Sequence, residues 1–212
     1  MSETYKENNF EKILRGRKSI REYDETAKIS KKEMEDILSE TVLAPSSANM
    51  QPWRFIVVES DEGKAKLRPL IRFNTRQNDT SAAMILIFGD LQCYELSEDI
   101  FGAAVAAGKM PQEVKDQQMS TLIPHYKSLS RQEMIEVVKI DSSLAAMQLM
   151  LVARSHGYDT TPMSGFEADQ LAETFDLDPE RYEPIMIVSI GKANETGYSS
   201  IRLPISKIAN WK

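Results

Sequence analysis

The stretch LAAMQLMLVA, Leu144 to Ala153, constrains this chain more than any other. Its residues are good helix formers, and apolar side chains recur nearly all round the helical circumference. A surface helix carries one apolar stripe; a helix apolar on every side has to be buried on every side. The chain must therefore place this helix in the middle of a domain or in a subunit interface. It is too short to span a bilayer, as is AAMILIF near Ala83. A chain of 212 residues, 42% hydrophobic and 27% charged, has enough apolar material for a real core around such a helix. No repeat, low-complexity tract or Gly/Pro/Ser-rich linker interrupts it, so residues 1–212 are expected to form a single domain.

Composition excludes several classes. The formal net charge of -6 argues against a general nucleic-acid surface, although an acidic total can still hide a basic pocket. The single cysteine, Cys93, cannot build a disulfide framework or a cysteine-rich metal site, and is expected as a half-buried thiol at a strand end. MSETYKENNF has no apolar signal core, so a cytoplasmic setting without a membrane is expected. His125 and His156 lack metal-ligand spacing; no metal is expected, and His156 reads as a helix-end cap. No dinucleotide fingerprint, P-loop or H-E-x-x-H occurs, and no pair of acids stands out as catalytic. The eleven methionines read mostly as core filler.

Asn9 to Arg15 predicts a short helix with Phe10, Ile13 and Leu14 on one face. Ser30 with Glu33 predicts a capping box, then a buried stripe of Met34, Ile37, Leu38 and Leu43, stopped by Pro45. Ser130 with Glu133 repeats the capping signature. Helices are also expected over Lys64–Arg72 and Phe166–Phe175, and strands over Phe55–Val58, Ala83–Phe88 and Pro184–Ile190. The tail SSIRLPISKIANWK has five large apolar residues, Ile201, Leu203, Ile205, Ile208 and Trp211, and no nearby partner. An arm lying across another subunit would satisfy it better than a floppy tail.

Three polar stretches carry candidate chemistry. RGRKSIR, Arg15 to Arg21, has four basic residues and no acid; arginine forks, a lysine and a hydroxyl can make a phosphate cup, but taken alone the stretch reads first as a solvated basic turn. PSSANMQPW, Pro45 to Trp53, is a loop stiffened by two prolines. Its polar groups suit a planar hydrogen-bonding ligand, or simply a helix C-terminal turn. TTPMSGF, Thr160 to Phe166, reads as a loop leading into a helix, with Gly165 free to adopt a special conformation and helix N–H groups exposed behind it.

Together these stretches resemble the nitroreductase family of FMN-dependent oxidoreductases. The carriers are Arg17, Ser19 and Arg21 of RKSIR, then PSSANMQPW, Phe73-Asn74, the P-x-x-G-F at Pro162 to Phe166, and Arg202, in that order along nearly the whole chain. The resemblance implies an α+β fold, a central, mostly antiparallel sheet surrounded by helices, in an intertwined homodimer with exchanged C-terminal arms and two FMN sites at the interface. It implies phosphate and ribityl contacts from Arg17, Lys18, Ser19 and Arg21, with Arg202 as a second phosphate-binding arginine. Pro45, Ser46, Ser47, Asn49 and Gln51 would reach the flavin from the other subunit, and Asn74 would meet its pyrimidine edge. Pro162, Met163, Ser164 and Gly165 would lie along the ring, with a backbone N–H of Ser164 or Gly165 near N5. Three positions depart from common family versions: Gln77 stands where some members carry a lysine, Ser164 where some carry an acid, and Ser200 where a basic residue is frequent. The implied activity is ping-pong hydride transfer from NADH or NADPH to a small oxidant such as a nitroaromatic or quinone, with no side-chain acid or base required. Rival readings are another specialised enzyme on the scaffold, a flavin-binding or regulatory protein without turnover, or a phosphate-binding module without flavin. The stretch from Leu91 to Arg131 has no assigned counterpart.

Overall fold

The computed structural model of the protein describes residues 5–212. At its centre lies a four-stranded antiparallel sheet in the order β1-β2-β4-β3, from β1 (Trp53–Val58), β2 (Ala83–Asp90), β3 (Asp159–Met163) and β4 (Tyr182–Gly191). Successive strand side chains point to opposite faces, and β2 is buried at every position. Ala83, Ile85 and Ile87 enter one core cluster with Ile37, Ala146 and Leu149. Met84, Leu86 and Phe88 enter another with Leu67, Ile71 and Leu171. A strand sandwiched between two helical layers must read as an unbroken apolar run, and this one does.

The helices lie on both faces, as the expected fold class requires. They are α1 (Phe10–Gly16), α2 (Lys31–Thr41), α3 (Asp61–Leu67), α4 (Thr75–Thr80), α5 (Ser97–Ala106), α6 (Gln112–Ser128), α7 (Arg131–Ser155) and α8 (Ala168–Thr174). α7 opens on the full capping box of Ser130 and Glu133. Its Val138, Ala145, Ala146, Leu149 and Ala153 are fully buried. Yet Ile140, Leu144 and Met147, on the other side, are 64%, 45% and 39% exposed. Within one chain the helix is covered on one side only.

Several expectations need correction. At α2 only half the capping box forms: Ser30 Oγ accepts the Glu33 N–H, while the Glu33 carboxylate accepts from the Tyr158 hydroxyl at 2.8 Å instead. Leu43 is exposed because α2 stops at Thr41, before the stripe returns to the core. On α1 only Ile13 of the expected face is buried. The expected helix over Lys64–Arg72 is α3 followed by a 3₁₀ turn, Arg68–Leu70, since Pro69 cannot continue an α-helix. Cys93 is wholly buried, not half-buried, and burial pushes its thiol up to about 12. TTPM is not a loop: Thr160–Met163 belongs to β3, paired with β4. α5 and α6 fill the stretch that had no assignment.

The last twelve residues contain one 3₁₀ turn, Ile205–Lys207, and Ile201, Leu203, Ile205, Ile208 and Trp211 are all exposed. Among the described residues no helix is long and apolar enough to cross a membrane. The expectation of no signal core rests partly on residues 1–4, outside the described ones.

Candidate functional site

α1 ends at Gly16, and Arg17, its C-cap, turns the chain into extended backbone. That extended segment docks on the outer edge of β3: Ser19 bridges Thr160 in parallel, the Ile20 N–H donates to Thr160 O at 3.2 Å, and Thr161 Oγ1 donates to Ile20 O. RKSIR is thereby fixed to the strand that leads into Ser164 and Gly165. The segment after β4 folds back over it. Lys18 Nζ donates to Thr196 O at 3.1 Å, and the Arg21 guanidinium lies 4.9 Å from the centre of the Tyr198 ring. The result is a cleft of about 200 Å³ with Arg17, Lys18, Ser19 and Arg21 on one side and Tyr198 and Arg202 on the other.

The charges in this cleft are unusual for the molecule. Of the eleven arginines, eight pair with a carboxylate within 4.0 Å. The three that do not, among the described residues, are Arg17, Arg21 and Arg202. Arg202 is steered instead by Ser200, whose Oγ accepts from its Nη1 at 2.8 Å. The Glu195 carboxylate accepts the backbone N–H of Arg21 and not its guanidinium. Three guanidinium forks without acids among the described residues, in an acidic chain, have the chemistry to hold a multiply charged anion.

Next to it, Asn74 is the N-cap of α4, but its side chain caps no backbone N–H of that helix. Its Nδ2 donates to Ile71 O at 3.1 Å and Gly165 O at 3.3 Å, and buried Gln77 donates from Nε2 to Asn74 Oδ1 at 3.3 Å. Gln77 therefore orients Asn74. The Ser164 and Gly165 N–H groups donate to nothing among the described residues. Gly165 is not left-handed, and an added Cβ would meet nothing nearer than Asn74 Nδ2 at 3.7 Å, so the expected special conformation is not what its glycine serves. α8 starts three residues later than Gly165, so helix N–H groups do not reach this segment. Met163 points its side chain into the core.

The PSSANMQ corner lies elsewhere. Ala48, Asn49 and Gln51 all have positive φ, 50°, 57° and 46°. Such backbone is costly for residues other than glycine and tends to collect at functional sites. Ser47 is held from both sides. Its N–H and Oγ–H donate to Asp141 at 2.9 and 3.1 Å, and its carbonyl accepts from the Tyr126 hydroxyl at 3.2 Å. Burial raises the Asp141 carboxyl above its ordinary value against the pull of the two Ser47 bonds, and pushes the Tyr126 hydroxyl up to about 12. Asp141 sits near the middle of α7, whereas the RKSIR cup abuts its far end, where the Arg154 guanidinium lies against Gly16. At 1.5 Å per residue the two points are about 20 Å apart along the helix. One chain thus joins RKSIR, Asn74, PMSG and Arg202, and holds PSSANMQ away from them.

Sequence reasoning missed Asp141, Tyr126 and Tyr198. Asp141 had a legible signal, an acid on the buried stripe of an apolar helix; the other two had none.

Residues 14–192 match the family model described as Nitroreductase family. A Bacillus subtilis protein named "Putative NAD(P)H nitroreductase YdgI" is 53% identical over 207 residues, 98% of this chain and 99% of its own length. The CLA biosynthesis enone reductase of Lactiplantibacillus plantarum is 36% identical over 197 residues, 91% of each chain. A crystal structure from Exiguobacterium sibiricum, in complex with FMN, has a TM-score of 0.96 and 52% identity, covering 99% of this chain and 100% of that one.

Proposed function

The chain belongs to the nitroreductase family, and from that membership we propose that it is an FMN-dependent oxidoreductase taking electrons from NADH or NADPH and passing them to small oxidants such as nitroaromatics or quinones. The observation that carries the reading is the cup in which Arg17, Arg21 and Arg202 are the arginines left without acids. A terminal phosphate monoester, with close to two negative charges, suits three unpaired forks, Lys18 and the Ser19 hydroxyl. Asn74, oriented by Gln77, offers an amide to a heterocycle edge. The free N–H groups of Ser164 and Gly165 offer donors that cannot titrate. The residues present therefore fit FMN.

Bound there, FMN supplies reversible two-electron redox chemistry. The chain's part is to hold the phosphate, orient the ring and present uncharged donors to it; the hydride transfer asks no side-chain acid or base of it. The Pro45–Gln51 corner is tied to the middle of α7, about 20 Å along that helix from the end beside its own cup, and this supports a second copy bringing its corner to complete the site. The exposed apolar stripe of α7 supports the same homodimer.

Acid release and chromatography of the purified protein should yield FMN and not FAD. Steady-state NADH or NADPH oxidation should then depend on an added oxidant. The relative that reduces an enone makes an α,β-unsaturated ketone the third member of that panel, beside a nitroarene and a quinone. Flavin without turnover on any of them would leave a flavin-binding protein and sink the enzymatic reading.

A further inference from the structure

We propose that Asp141 is a positioning residue for the cofactor site, holding the Ser47 corner in the shape it presents to the partner subunit. This rests on the reading of the corner as part of a flavin site between two copies.

Asp141 is 2% exposed, and no basic side chain among the described residues lies within ion-pairing distance of it. The titratable groups that face it are Tyr126 from α6 and Cys93 from the turn after β2, both of which its charge pushes further toward their neutral forms. Arg54, which also acts on Cys93, is held by Asp90 at 2.8 Å. An uncompensated buried carboxylate is unfavourable for the fold. Its hydrogen bonds both go to Ser47, and with the Tyr126 hydroxyl on the carbonyl they occupy every polar group of that residue. Immediately after Ser47 come the left-handed Ala48 and Asn49, and then Gln51. Gln51 is tied back through its N–H to Ser46 Oγ at 3.0 Å. A carboxylate can accept both Ser47 donors at once; an amide of the same shape accepts only through its single oxygen. The Ser47 hydroxyl, turned inward to Asp141, is not left to donate to a ligand. Its contribution is to fix the backbone that follows.

The test is the dissociation constant of FMN, from flavin fluorescence on dilution of the holoprotein, between pH 5 and 8. The proteins compared are wild type, Asp141→Asn, Ser47→Ala, the double variant and Arg17→Ala. Loss of one hydrogen bond to a charged group predicts binding about tenfold weaker in Asp141→Asn at pH 8. The gap should narrow as the pH falls, because the Asp141 carboxyl, raised by burial, protonates before an ordinary aspartate would and then gives up one Ser47 bond itself. Comparing two proteins in the same buffers cancels the titration of the cofactor's phosphate. Adding Ser47→Ala to Asp141→Asn should cost little more, since both act through one contact. A structural role elsewhere would give additive losses in the double variant, and that result would overturn the proposal. Wild-type affinity in Asp141→Asn alongside weakened binding in Arg17→Ala sinks this proposal alone. Undiminished affinity in Arg17→Ala overturns the phosphate assignment, and wild-type protein that binds no FMN overturns the function and this inference together.

Discussion

At the scale of single residues, the site is defined by groups that lack partners. Arg17, Arg21 and Arg202 lack acids, and the Ser164 and Gly165 N–H groups lack acceptors. Most of these groups are open to water, so what points to a ligand is the gathering of the three arginines in one cleft while the other eight are paired with carboxylates. Arg17→Ala and Arg202→Ala should each weaken FMN binding about ten- to a hundredfold, the worth of a charge-assisted hydrogen bond. Since neither side chain makes an ion pair, the thermal midpoint of the flavin-free chain should barely move. Flavin titration and a melt on the same samples separate the two effects; wild-type affinity in both variants removes the phosphate assignment. Ser164 divides the side chain from the backbone. Its side chain is exposed, so Ser164→Ala should keep flavin and turnover. Ser164→Pro deletes the N–H and fixes φ, and should slow flavin bleaching by NADH or NADPH under anaerobic conditions. Equal damage from both would assign the role to the hydroxyl.

At the scale of elements, α7 is positioned by how closely it approaches the sheet. An added Cβ at Gly89 of β2 would come within 2.5 Å of Val138 Cγ2, so this glycine sets the distance between helix and sheet. Gly89→Ala should destabilise the protein by about 1–3 kcal/mol through overpacking, read as a lower urea midpoint. An unchanged midpoint would mean that the helix moves freely against the sheet. Where local chemistry decides an element, the sequence was legible: Ser130 and Glu133 start α7, and the unbroken β2 run announces its two-sided burial. Where pairing decides, it was not. Thr160–Met163 is short and carries Pro162, which reads as a turn. β4 pairs it into a strand from one side and Ser19 from the other, at an edge where a proline is tolerated.

At the scale of the molecule, two apolar surfaces remain uncovered within one chain: the Ile140, Leu144 and Met147 stripe and the C-terminal arm. Together with the separation of corner and cup along α7, they support the proposed homodimer, and a deletion tests it. Deleting the chain from Ile201 onward should remove Arg202 with the arm and leave apolar surface open. Light scattering and absorbance should then show aggregates or flavin-free monomers. A soluble, flavin-bound dimer of the truncated chain would rule out arm exchange.

What the sequence determined by itself is local: caps, stripes, a buried apolar helix, and the order of five short polar motifs. Those motifs were enough to name the family, because residue types and their order are written along the chain. What only the tertiary structure decided is which motifs meet. Arg202 joins Arg17 because the segment after β4 returns across RKSIR, and Asn74 reaches Gly165 because α4 packs beside the end of β3. PSSANMQ stays apart because Asp141 ties it to the middle of α7. Contacts between distant segments depend on how layers stack and strands pair, and no local propensity encodes them. The same limit applies to the charges: RKSIR is equally basic as a solvated turn or as a cup, and the fold, by leaving its arginines without acids, made it a cup.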